Sequence, residues 1–150
     1  MAAQNITNAT DTLPLSAALT GTIVSAAASK ELVGTSTLFT TELNINDWIF
    51  DTVNVAIRQV ERIDSDTVLW LKDGFADAQA GSTMKLLKNA ARQISGVANG
   101  GDVTITFPND DTLIIRDGNS FTPQAKENGL VQPFIVTAGS GVNFDYDIVD

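Results

Sequence analysis

The sequence predicts an all-β protein made of two small antiparallel barrel or sandwich units, preceded by an extended N-terminal arm. Three observations predict this class. Short β-branched or alternating apolar runs recur at about 8–12-residue intervals, the spacing of small sandwiches and barrels. Turn-forming clusters punctuate them: Asp64-Ser-Asp66, Asn99-Gly-Gly101, Pro108-Asn-Asp-Asp111, Asp117-Gly-Asn119 and Gly139-Ser-Gly141. Finally, 43% of the 150 residues are hydrophobic and only 18% are charged. That balance suits a chain that buries a core and not one that stays disordered.

Residues 1–19 read as the arm. They carry one charged side chain, Asp11, and no clear periodicity. Either they are a loose terminus, or they order against a neighbouring subunit through Leu13, Leu15 and Leu19. Residues 20–88 read as a small β-barrel. Gly21–Ser25 and Glu31–Thr37 are strands, and Leu38–Leu43 lacks a period of two and suits a single helical turn. Asn44 and Asn46 mark a turn before the strand Asp47–Asp51. Val55–Ile63 and Thr67–Leu71 follow as strands joined at Asp64-Ser-Asp66, with Leu69 and Leu71 on one face and Trp70 on the other. Lys72-Asp-Gly74 ends the second of these, Phe75 is expected to pack back on the core, and Ala76–Gly81 reads as a loop. Thr83–Leu87 lies in a string of good helix formers, but a barrel needs a closing strand there. Residues 89–150 read as a second, sandwich-like unit. Its strands are Arg92–Val97, Asp102–Phe107, Thr112–Arg116, Leu130–Thr137 and Gly141–Ile148, with Pro133 pushing its strand to an edge or bulge.

Composition narrows the chemistry. The chain has no His and no Cys. Ser–His–Asp, Cys–His and zinc-hydrolase mechanisms are therefore excluded, as is any disulfide. No carboxylate pair is singled out for glycoside hydrolysis, no phosphate-binding glycine motif occurs, and Tyr146 is the single tyrosine. The chain is expected not to be an enzyme and to need no cofactor or metal. Asp64-Ser-Asp66, Asn109-Asp-Asp111 and Asp145-Tyr-Asp147 offer oxygens of the kind Ca²⁺ takes, but none has the spacing of a known calcium loop, and turn chemistry explains them. The formal net charge of −9 opposes binding to phosphates, so no nucleic-acid partner is expected. No basic segment with an apolar run opens the chain, and no stretch approaches the ~20 apolar residues of a membrane helix, so neither a leader nor a membrane partner is expected.

One stretch carries a resemblance. Thr20-Gly-Thr22, Val33-Gly-Thr-Ser-Thr37, Phe39-Thr-Thr-Glu-Leu43, Asn46-Asp-Trp-Ile49, Arg58–Ile63, Asp64-Ser-Asp-Thr67 and Leu69-Trp-Leu71 follow one another in that order. This pattern resembles a small β-barrel module that recurs in virion proteins of tailed bacteriophages, in head-decoration, head-fibre and neck- or tail-attached proteins. It departs from the module at Ser36, where the family often has Gly, and at Asn46, where Gly usually precedes the Asp. The resemblance covers just under half the chain and does not extend to residues 88–150. The resemblance implies a structural virion protein that decorates or cements the capsid, or attaches a head fibre or neck component. Its partners would be other virion proteins and further copies of itself, with a trimer suiting a head site. Trp70, pointing outward, then serves as an interface residue with Leu13, Leu15 and Leu19. Two alternatives stand beside it: a host-surface carbohydrate-binding module using Trp70 and the turns near Asp110 and Asp145, and a polysaccharide lyase or hydrolase.

Overall fold

The computed structural model describes residues 4–7, 16–87, 93–122 and 133–149. The chain is 53% strand and 5% helix, with every strand pairing antiparallel, as expected of an all-β protein. It divides into two compact units: residues 16–87, and residues 88–150 together with residues 1–15.

The stretch read as an arm is strand near both of its ends. Gln4–Thr7 (β1) pairs with Asn143–Val149 (β15) in the C-terminal unit, whereas Ser16–Ala18 (β2) pairs with Met84–Leu87 (β9) in the other. Deleting residues 1–19 would therefore strip a strand from each unit. Leu19 packs partly buried against the core of residues 16–87, and its amide donates to Met84 O at 3.0 Å. Leu13 and Leu15 lie outside the described residues.

Residues 16–87 form one sheet whose further strands are Thr22–Ser25 (β3), Glu31–Thr35 (β4), Trp48–Asp51 (β5), Ala56–Ser65 (β6), Val68–Leu71 (β7) and Gln79–Ser82 (β8), with a helical turn at Phe39–Glu42 (α1). The strand order is β2-β9-β5-β6-β7-β4-β3-β8. Residues 79–87 thus serve both ends of this order, β8 pairing with β3 and β9 with β5 through the link at Thr83. The expected barrel is correspondingly not a closed one. Its two halves meet through a covalent junction and not through a ladder between edge strands. β8 was expected as loop. It has no β-branched residue, and Gly81 takes φ +84°, so only pairing with β3, across a register shift at Ile23 and Val24, makes it a strand. The core consists of Ile23, Leu32, Phe39, Leu43, Ile49, Ala56, Val60, Leu69, Leu71, Phe75 and Met84, which alternate with outward residues along their strands.

Several residues of the stretch from Thr20 to Leu71 hold this unit together. α1 is far too short to stand alone, and Leu38 at its N-cap makes no side-chain capping bond. The cap comes from Asp66, 26 residues away: Thr40 N donates to Asp66 Oδ1 at 3.0 Å, and the Thr40 hydroxyl bonds the same oxygen. Asp66 O accepts from Thr37 Oγ1 at 2.5 Å and from Phe39 N at 3.3 Å. Gly34 N donates to Thr67 O at 2.8 Å beside them. From the other side, Glu42 accepts from Thr20 N at 3.0 Å and Thr20 Oγ1 at 2.6 Å. Phe39 and Leu43 can then bury against the core. The two departures from the module pattern fall where the backbone is left-handed, at Ser36 (φ +56°) and Asn46 (φ +74°). Glycine suits such positions best, and Asn tolerates them.

The C-terminal unit is a sandwich. Gln93–Asn99 (β10), β1, β15 and Ser120–Phe121 (β13) form a four-stranded sheet in the order β1-β15-β10-β13. Val103–Thr106 (β11), Thr112–Ile115 (β12) and Ile135–Ala138 (β14) form a three-stranded sheet in the order β12-β11-β14. Ala98, Phe121, Phe144 and Tyr146 of the first face Val103, Ile105, Ile115, Val136 and Ala138 of the second across one core. Of the expected strand over 130–137, Ile135–Ala138 is observed, following Pro133; residues 130–132 lie outside the described residues.

Candidate interaction surface

Most candidate chemical groups are already occupied within the fold. Tyr146 lies in the sandwich core, stacked on Phe144 at 5.8 Å, and burial pushes its phenol pKa up. Of the three oxygen-rich turns, Asp64 and Asp66 are spent on neighbours, and the side chains of Asn109 and Asp147 lie outside the described residues. Among the described residues, no group of three or more His, Cys, Asp or Glu could hold a metal ion, and no helix is long and apolar enough to cross a membrane.

What remains is surface. The outward positions of β8, β3, β4 and β7 line up in one row, because paired residues in neighbouring strands share a face. Ala80 opposes Val24, Val24 opposes Val33, and Val33 opposes Val68. Val24 is 48% and Val33 43% exposed. Four apolar side chains thus cross four strands, a span of about 14 Å at the usual strand spacing. The next row along the strands contains Glu31, Trp70 and Arg62.

Trp70 points outward and is half-buried, because its neighbours hold it. Arg62 lies 4.9 Å from the indole centroid, and Trp70 Nε1 donates to Asp64 Oδ2 at 2.9 Å. Arg62 Nε donates to Asp64 Oδ1 at 2.8 Å, which closes the triad. One face of the ring is therefore covered by a guanidinium, and the ring is fixed in orientation beside the valine row. A locked aromatic loses little entropy when a partner covers it. Trp48, the second tryptophan, is half-buried on β5 and opposes Gln59.

Arg58 had no assigned role in the sequence reading. It is only 5% exposed, on the core-facing side of β6 between Ala56 and Val60. Its Nε donates to Gly74 O at 2.8 Å, its Nη1 donates to Ile57 O at 2.8 Å, and its guanidinium lies 5.3 Å from the Phe75 centroid. It is a structural plug, satisfied by backbone carbonyls of a kind that a sequence pattern does not announce.

Three exposed carboxyls are held below the ordinary carboxylate range. Hydrogen bonds from Arg62 and then Trp70 lower Asp64, those from Thr40 lower Asp66, and those from Arg116 and the Asp117 amide lower Asp102. A carboxyl lowered in the folded state binds fewer protons there than in the unfolded chain. Its stabilisation is complete above the unfolded value and is lost as pH falls from about 5 through the folded one. The melting temperature is therefore expected to drop between pH 7 and pH 3. Asp66→Asn, which cannot titrate, should be less stable at pH 7 and should show a smaller drop; an equal drop in a melting series would remove Asp66 from this assignment.

No family model, curated protein or solved structure matches this chain.

Proposed function

We propose that this chain is a structural component of a tailed-phage virion, attached through the outer face of its residue 16–87 unit. Two things support the reading. The module-like pattern from Thr20 to Leu71 is one. The other, which carries the attachment, is the exposed row Ala80–Val24–Val33–Val68 beside the clamped Trp70. A contiguous apolar row on a sheet face, bordered by an ordered aromatic, is the composition of an interface centre. Two motif residues, Val33 and Trp70, belong to this surface. Thr20 bonds Glu42, Thr37 and Thr40 bond Asp66, and Gly34 bonds Thr67; these contacts keep the unit folded and leave outward positions to choose the partner.

The partner proposed is another virion protein, with burial of complementary surface as the mechanism. The negative net charge suits a face turned away from packaged DNA. The chemistry is binding and not turnover: no His or Cys is present, and the single Tyr is buried in the core. The test is incorporation. Quantitative mass spectrometry of purified particles from the source encoding this chain should find it at a fixed copy number, and particles assembled without it would refute the proposal.

A further inference from the structure

We propose that Asn99-Gly100 is a self-modification site, at which the Gly100 amide attacks the Asn99 side chain, and that Asp117 and the β10–β15 ladder block the reaction while the sandwich is intact. The chain has two Asn-Gly junctions, and the other, Asn128-Gly129, lies outside the described residues. In such a pair no side chain on the second residue screens the amide nitrogen from the carboxamide carbon of the first. Here the fold demands the glycine. Gly100 takes φ +86°, and a Cβ on it would lie 3.0 Å from Gly141 O. Both residues of the junction are exposed, so water reaches them. The reaction balances with water as the only co-reactant. The Gly100 nitrogen bonds Asn99 Cγ, the Cγ–Nδ2 bond breaks, and ammonia leaves with the amide proton. Water then opens the cyclic imide. Cleavage at Cγ leaves aspartate. Cleavage at the main-chain carbonyl leaves isoaspartate, which routes the backbone through the side chain and lengthens it. Either product gains a carboxylate close to that of Asp117.

Two features of the fold oppose the first step. Asn99 ends β10 as extended backbone, paired with Asn143 of β15. Bringing its Cγ onto the Gly100 nitrogen turns that backbone out of the extended region and breaks the pairing. Gly100 N also donates to Asp117 Oδ1 at 3.0 Å. The contact ties the nitrogen down, and the negative charge of the carboxylate disfavours loss of its proton. Asp117 is placed by its own turn. Its amide donates to Asp102 Oδ1 at 3.1 Å, and Arg116 Nη1 donates to Asp102 Oδ2 at 2.6 Å. Gly118 N donates to Ala98 O at 2.8 Å, and Ala98 N donates to Asn119 O at 3.0 Å. Residues 99–102 and 116–119 therefore lock each other. Reaction at Asn99 requires this end of the sandwich to open, and a modified chain is one that has opened. Asp117 is a positioning residue in this scheme, and the inference stands independently of the virion reading.

The test is the rate of modification at Asn99. The full chain and a free peptide of residues 95–104 are incubated side by side at pH 7. Digestion and mass spectrometry read the mass gain at Asn99, and chromatography separates isoaspartate from aspartate. The full chain is expected to react about tenfold more slowly than the peptide, because only opened molecules react. Asp117→Ala removes tether and charge together and should speed the full chain about fivefold, with circular dichroism unchanged. Asp117→Asn keeps an acceptor oxygen without the charge, and its rate should fall between those of Asp117→Ala and the wild-type chain. The inference is overturned if the wild-type chain reacts as fast as the peptide. It is equally overturned if both Asp117 variants, folded, react at the wild-type rate.

Discussion

Replacing Gly34 by alanine is expected to destabilise the residue 16–87 unit by on the order of 3 kcal/mol, the upper range for forced overpacking. The added Cβ would lie 2.0 Å from Thr37 Oγ1 and 2.8 Å from Thr37 Cβ. Thr37 is only 4% exposed and cannot retreat, because its hydroxyl is tied to Asp66 O. Nor can Gly34 shift, because its amide bonds Thr67 O at 2.8 Å. The strain therefore falls on the cluster that caps α1 and holds Phe39 in the core. Against a total stability of roughly 5–15 kcal/mol the loss is large. Both tryptophans, Trp48 and Trp70, lie in this unit. Urea denaturation followed by their fluorescence should show the midpoint move sharply downward; an unchanged midpoint would mean that the turn yields at no cost.

The second large effect is expected in the sandwich. A Cβ at Gly96 would lie 2.2 Å from Phe144 Cζ, inside a ring that is fully buried and stacked on Tyr146. Gly96 is the gap that lets Phe144 lie across β10. Gly96→Ala should cost on the order of 3 kcal/mol, because the ring has no free volume to enter. Phe144→Leu in that background shortens the side chain and should return part of the loss, with a coupling of about 0.5–3 kcal/mol in a double-mutant cycle. Purely additive effects, measured by chemical denaturation followed through the near-ultraviolet signal of Tyr146, would contradict this packing.

Strand content was legible because outward and inward residues alternate. Val68-Leu-Trp-Leu71 shows on its face which side is core, and the structure buries Leu69 and Leu71 while turning Trp70 out. The helical turn at Phe39–Glu42 was legible for the opposite reason, since it breaks that alternation. Thr83–Leu87 read as strand despite helix-forming residues, and pairing of Met84–Leu87 with β5 makes it one. The sequence left two kinds of feature hidden. Gln79–Ser82 is a strand by partnership alone, and β1 joins the C-terminal unit across most of the chain's length. Tertiary pairing of this kind has no local signal. The candidate surface was half legible. Trp70 was identified as outward, but the row made by Val24 and Val33 depends on the β3–β4 register, which no single strand encodes. Arg58 was hidden for the same reason: its partners are carbonyls, which carry no residue identity.

The attachment surface is tested most directly by particle incorporation of the Val24→Glu, Val33→Lys double variant. The two positions face each other across β3 and β4, so the substitution replaces the apolar row's centre with an opposite-charge cross-strand pair. The unit is expected to remain folded, with its urea midpoint close to that of the wild-type chain. Copies per particle are then counted by quantitative mass spectrometry, with the wild-type chain assembled in parallel. The account predicts a normal count for the wild-type chain and near-complete loss for the variant. A folded double variant present at the wild-type copy number would contradict it.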